Sequence, residues 1–399
     1  MFDFHARVPK EELDNRLAAL RAKLQETDPE WSFVLICDKI NLYYLTGTVQ
    51  QAALTITPDE AILWVRRSLE RAQQESHFAD IRPMRSYRTL AEHFQHMPSC
   101  VYLEAKNATL DWLNMVQSRL PFDSWKSIHP VIDSLRARKS AYEIECLRKA
   151  GEILADVTER FMPNILREGM SESELCGETF LELLRQGSMG ICRYNQSMGE
   201  DAAGMAGFSE STLAPLAFDG PDGCIGTCIS VQAMGSPTRY LKKGDLVLLD
   251  QGSGILGYHS DKTVVYFYGK LDEHPQADRI RHAYDVCARI EAWAASQLKP
   301  GAIPEEIYEK ALEMLPEEYH KGFMSGAKFL GHSIGLAMDE APVLAKSFRE
   351  PIEEGMIFAI EPKIALDGIG MVGSENTYLV TANGGESLSG HILPLTEIE

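Results

Sequence analysis

Apolar residues recur at helical spacing at Leu13, Leu17, Leu20 and Leu24 behind Pro9, and the run Trp31-Ser-Phe-Val-Leu-Ile-Cys37 that follows reads as a strand. Two more strands are predicted over Ala52 to Thr57 and Ala61 to Val65, on either side of the turn signal Pro58-Asp-Glu60. A helical stretch around Leu90 to Phe94 then precedes the strand Cys100-Val-Tyr-Leu-Glu104. Residues up to about 133 therefore read as a small α/β domain.

The pattern restarts at Ser140-Ala-Tyr-Glu143, a capping box in which serine and glutamate satisfy the first orphan amides of a long helix running towards Leu166. The boundary is expected between 133 and 140, giving domains 1–135 and 136–399. Ser171-Glu-Ser-Glu174 is a second capping box, and the helix after it carries Leu175, Leu183 and Leu184. Two patterns then recur in the same order. Leu166, Gly169 and Leu175 are matched by Leu298, Gly301 and Ile307, and Gly244-Asp-Leu-Val-Leu-Leu-Asp250 has the form of Gly355-Met-Ile-Phe-Ala-Ile-Glu361. Two related α/β halves facing each other are the reading that explains both.

Composition narrows the function classes. Hydrophobic residues make up 45% and charged residues 24% of the 399, the balance of a folded globular chain long enough for two domains. The 58 acidic against 39 basic residues, a net charge of −19, repel nucleic acid and anionic membranes, so neither is expected as a partner. No signal peptide and no membrane-spanning apolar run is read, which makes the cytoplasm the expected compartment. The eight cysteines read as reduced core thiols, and Cys224 and Cys228 lack the spacing of a zinc ribbon.

The candidate chemistry is acidic. Asp250 ends an apolar strand, the turn-rich Gly252-Ser-Gly-Ile-Leu-Gly257 follows, and Asp261 precedes Thr263-Val-Val-Tyr-Phe-Tyr268, so a hairpin would join the two aspartates. Glu361 and Glu375 flank a similar pair, Met356 to Ile364 and Gly370 to Val380, with Asp367-Gly368 as the turn. Alone, each of these residues is ordinarily a turn, a cap or a solvated carboxylate. Together, four carboxylates in a partly buried site would repel one another unless cations neutralise them, and two divalent ions would do so. His332, in Leu330-Gly-His-Ser-Ile-Gly335, adds an imidazole, a mixture suited to manganese, iron, cobalt or zinc. Such a centre can activate a water and polarise a substrate oxygen.

The order and spacing of these residues resemble the pita-bread metallopeptidase family, which includes prolidase, aminopeptidase P, methionine aminopeptidase and the non-peptidase creatinase. The resemblance covers nearly the whole chain: Asn41-Leu-Tyr-Tyr-Leu-Thr-Gly47 is similar to the creatinase-type N-terminal domain, and Arg138-Lys-Ser-Ala-Tyr-Glu143 to the start of the catalytic domain. It implies an α/β fold with a small N-terminal creatinase-type domain and a C-terminal pita-bread α+β domain with an internal pseudo-twofold repeat. It also implies two divalent ions per chain, manganese first, with cobalt, iron or zinc as alternatives. Asp250 would chelate one ion, His332 and Glu361 the other, and Asp261 and Glu375 would bridge both. A homodimer is expected by the same analogy.

Three positions depart from the family. The histidine that prolidase-like relatives carry after the liganding one is Asp339, the second auxiliary histidine is missing from Val231-Gln-Ala-Met-Gly235, and an arginine common just before the bridging glutamate is Gly373. The leading expectation is an Xaa-Pro dipeptidase or aminopeptidase in which Asp339, Glu340 or Gln232 takes over polar contacts to a small peptide. The alternatives are a hydrolase or lyase for a small non-peptide metabolite and, behind it, a non-catalytic metal-binding homologue.

Overall fold

The computed structural model describes residues 2–194, 199–202, 204–217, 220–232 and 234–399. The chain divides into two compact units, Met1–Arg136 and Ala137–Glu399. In the first, the helix Lys10–Thr27 buries Leu13, Leu20, Leu24 and also Arg16, whose Nε pairs with Glu12 at 2.8 Å. A six-stranded mixed sheet runs in the order Ile81–Pro83, Ala61–Val65, Ala52–Ile56, Val34–Ile36, Cys100–Leu103 and Ser124–Ser127. The two outermost strands escape a hydrophobic-pattern search because they are edges: Ser-Trp-Lys-Ser and Ile-Arg-Pro carry no alternating apolar face.

In the second unit both capping boxes form. Ser140 starts the helix Ala141–Ala155 and Ser171 starts Glu172–Arg185, each with the reciprocal glutamate contact. The first helix is shorter than the sequence implies, because it loosens into a π-helical stretch, Asp156–Phe161, before a last turn at Met162–Ile165. The repeat is visible in the backbone. Gly169 and Gly301 both take left-handed φ, 82° and 89°, where a helix turns into the next one, and Gly244 and Gly355 do so at 93° and 88° ahead of their strands.

The hairpin differs from its sequence reading. Asp245–Ile255 and Tyr258–Tyr268 are continuous eleven-residue strands joined by the two-residue turn Leu256-Gly257, so both aspartates lie within strands and not at their ends. Gly252 and Gly254 are there for close packing: a Cβ on Gly252 would lie 2.6 Å from Cys192 Sγ, and one on Gly254 2.4 Å from Met189 Cε. Both faces of the hairpin are covered, which explains the unbroken apolar run. Val247, Leu249, Val264 and Tyr266 enter one core with Leu175 and Phe208, while Leu246, Leu248, Val265 and Phe267 enter another with Ile290, Leu330 and Phe358.

That second core lies against the five-stranded sheet Glu340–Ala345, Phe329–Ser333, Ile357–Ile360, Asn376–Thr381 and Gly384–Ser387. Asp250 and Asp261 have the same parity as Leu248 and Val265 in the paired register, so they point to the face that this sheet covers. No helix among the described residues is long and apolar enough to cross a membrane.

Candidate metal centre

His332 comes from the strand Phe329–Ser333, one strand away from Ile357–Ile360, whose end delivers Glu361. Pro362 then interrupts the ladder. Ile360 pairs with Asn376 in one ribbon and Lys363 with Gly373 in the next, and Glu361 and Glu375 occupy the break between them. The hairpin supplies Asp250 and Asp261 from the opposite side. All five side chains line one cavity of about 540 Å³, and one ligand atom each from Asp261, His332 and Glu375 lie within 4.8 Å of one another.

Surrounding hydrogen bonds fix these groups. His332 Nδ1 is 3.1 Å from the Ser333 carbonyl, which can only accept, so a proton on Nδ1 completes that bond and Nε2, facing the cavity, is the nitrogen that would ligate a metal. Thr263 Oγ1 lies 3.0 Å from Asp250 Oδ1 and 2.8 Å from Glu375 Oε2, joining the two halves. Thr377 Oγ1 accepts from the Asp261 amide at 2.9 Å. Behind Glu375, the buried Glu291 accepts from Ser374 Oγ and, at 2.7 Å, from Asn376 Nδ2, which holds the residues on both sides of the ligand.

The carboxylates resist ionising together. Burial pushes Asp250 up to about 7, with Lys363 opposing and Asp222 adding to it. Burial raises Asp261 and Glu361 well above the carboxylate range, and Glu375 is the next cause for both. A divalent cation removes this conflict, and the carboxylate and imidazole donors suit a borderline or hard ion, so the residues present fit the metal the sequence implies.

Two members of the site were not found from the sequence. Lys363 is fully buried, with Nζ 2.9 Å from Glu375 Oε2, 3.1 Å from Glu361 Oε2 and 3.9 Å from Asp250 Oδ2. It also lies 2.7 Å from Asp222 Oδ2, an ion-pair distance without hydrogen-bond alignment. Burial alone would lower the pKa of Lys363, but Asp222, Glu375, Asp250 and Glu361 outweigh it and hold the ammonium charged well above its usual range. The only available signal was proximity in sequence: Lys363 opens the strand just after the break that holds Glu361.

The two candidate substrate contacts separate. Asp339 lines the cavity, and its Oδ1 is 3.2 Å from His332 Nε2. Glu340 is buried elsewhere, accepting from the Ala337 amide at 3.0 Å and lying 3.7 Å from Lys139 Nζ, and it is not part of the cavity wall. Gln232 does line the cavity, whereas Ala233 in the same run lies outside the described residues. Cys224 and Cys228 are both free thiols, one buried and one exposed.

With that geometry in view, comparison with known proteins places the chain. Residues 145–382 match the model of metallopeptidase family M24 and residues 16–138 that of the creatinase/prolidase N-terminal domain. The chain belongs to metallopeptidase family M24, a family of metal-dependent hydrolases, and has the creatinase-type N-terminal domain followed by the pita-bread domain. It is 24% identical over 360 residues to the Xaa-Pro dipeptidase of Pyrococcus horikoshii, covering 89% of this chain and 92% of that one. It is 26% identical to the Xaa-Pro dipeptidase of Pyrococcus furiosus, with the same coverage of both chains. Among solved structures, the Xaa-Pro dipeptidase from Bacillus anthracis shares the fold with a TM-score of 0.80 at 21% identity, covering 96% of this chain and 99% of that one.

Proposed function

We propose that this chain is a divalent-metal-dependent peptidase of the Xaa-Pro type, with the ions held by Asp250, Asp261, His332, Glu361 and Glu375. The observation that carries the reading is the convergence of Asp261, His332 and Glu375 at the floor of a cavity large enough for a small peptide. Two divalent ions, manganese first, are the proposed complement: five buried or part-buried carboxylates, Asp222 included, are balanced by two such ions and the Lys363 ammonium. Bound there, the ions would supply Lewis acidity and an activated water. The chain's own part is to hold the ligands by the Thr263, Thr377 and Glu291 contacts and to orient the substrate.

The cavity wall suggests which substrates. Among the described residues lining it, none is lysine or arginine, whereas Asp339, Asp201 and Glu200 add acidic groups. Glu200 is paired with Arg193 at 2.8 Å, and the negative charge that Asp201 and Asp339 add to the wall favours a protonated amine. A free carboxylate next to the scissile bond finds no cation on this wall. Met205, Ile229 and Val231 offer apolar contact, and Ile229 is fully exposed. The same wall favours, as a second reading, a hydrolase for a small cationic non-peptide metabolite.

A panel of free Xaa-Pro dipeptides, Xaa-Pro amides and longer Xaa-Pro peptides, assayed on manganese-loaded protein of measured metal content, tests the proposal. Cleavage at Xaa-Pro bonds is expected, with amides and longer peptides ahead of free dipeptides. Absence of cleavage of every peptide by fully loaded protein would point to the non-peptide reading. The homodimer and a cytoplasmic setting belong to the same proposal; eight free thiols support the second.

A further inference from the structure

Lys363 and Asp222 form a buried ion pair inside the centre that the five candidate ligands do not require. Their side chains are 0% and 1% exposed, and neither Asp222 oxygen has a hydrogen-bond partner among the described residues. The ammonium touches only one oxygen, Oε2, on each of Glu361 and Glu375, while Glu361 Oε1 is turned to His332 Nε2 at 3.5 Å. Glu375 Oε2 already takes the Thr263 hydroxyl. Room for the lysine comes from Gly373 on the paired strand, where a Cβ would lie 2.8 Å from both Lys363 Cα and Cγ.

We propose that Lys363, anchored by Asp222, is a resident counter-ion of the metal centre, a positioning residue that holds Glu361 and Glu375 by their Oε2 atoms and tunes how tightly the centre binds divalent ions. This rests on the metal reading given above. In the metal-free chain the ammonium keeps mutually repelling carboxylates assembled in one cage. When ions enter, the same charge repels them and competes for the Oε2 atoms, which weakens binding and keeps the ions exchangeable. Asp222, 2.7 Å from the ammonium and itself on the cavity wall beside Asp250, offsets that repulsion.

The two partners must therefore act with opposite sign. On the full-length chain stripped with chelator, Mn2+ affinity is read by competition with a chelating indicator, and folding by cooperative thermal unfolding. Lys363→Met is expected to bind Mn2+ about tenfold tighter or more while melting at a lower temperature in the metal-free state. Asp222→Asn is expected to bind about tenfold more weakly, and Asp222→Asn/Lys363→Met to return to within about threefold of the parent. Mere damage to the fold would weaken binding in both single variants. A folded Lys363→Met that binds Mn2+ no tighter than the parent, or an Asp222→Asn that binds no more weakly, overturns the proposal. If Lys363→Met does not fold, Lys363→Gln takes its place and must likewise bind Mn2+ more tightly than the parent. A parent that takes up no Mn2+ overturns the metal reading and this inference with it, whereas uptake by the parent with unchanged affinity in the variants overturns this inference only.

Discussion

Asp261→Ala or Glu375→Ala will strip the chain of its divalent ions together and lower hydrolysis on the order of a thousandfold or more. These two residues belong to the tightest group of candidate ligand atoms, with His332, and each also ties the two halves of the domain to the site, Glu375 through Thr263 and Asp261 through Thr377. Losing either removes a ligand proposed to serve both ions; losing Glu375 also frees the Thr263 hydroxyl and the Lys363 ammonium, whereas Thr377 holds the Asp261 backbone and stays in place. Metal analysis of dialysed variants beside the parent checks the expectation. Full metal retention by either variant would contradict the bridging role. Retention of one ion would show that its role is confined to one side of the pair.

Asp339→His is expected to raise kcat/KM for Xaa-Pro peptides about a hundredfold, the typical worth of one donor to a developing oxyanion. In the parent, an acceptor-only carboxylate stands 3.2 Å from the imidazole nitrogen that is to ligate metal. Its side chain is 44% exposed, so it reaches both the ligand and the open cavity. An imidazole there can donate a hydrogen bond to an oxyanion, whereas the aspartate repels one. The same change removes a partner for a cationic group, so any amine or guanidinium substrate that the parent prefers should bind more weakly. Steady-state kinetics on both substrate types at equal metal occupancy separate the effects. A parent already fast on peptides, with no gain from the histidine, would mean that Asp339 does not face the reacting carbonyl.

Much of this arrangement was legible in the sequence, for local reasons. The capping boxes at Ser140 and Ser171 are complete within four residues, and the left-handed glycines of the repeat punctuate apolar periodicity that is itself local. The acidic residues were found because each ends or interrupts a recognisable strand pattern. Gly252 and Gly254 were misread as turn residues because a glycine needed for close approach to Cys192 or Met189 looks, in one dimension, like a glycine needed for a turn. Glu340 stands next to Asp339 in sequence, yet Asp339 lies in the bend before the strand that Glu340 opens, and only Asp339 lines the cavity.

Lys363 and Asp222 show what such reading misses. Gly220-Pro-Asp-Gly223 has the composition of an exposed turn, and a lysine after Glu361-Pro362 has that of a solvated strand end. Their burial as a pair depends on contact across 141 residues of chain, the span from 222 to 363. Burial of a lysine is rare enough without a partner that only the partner makes it plausible, and no local pattern names that partner.

The most direct test of the account is an anomalous difference map from crystals of the full chain soaked in Mn2+, collected near the manganese edge. Density is expected in the cavity between Asp261, His332 and Glu375, with a second ion against Asp250 and the Lys363 ammonium still beside Glu361 and Glu375. An occupied cavity with Mn2+ bound away from these residues, or no ion there at concentrations that saturate activity, would contradict it.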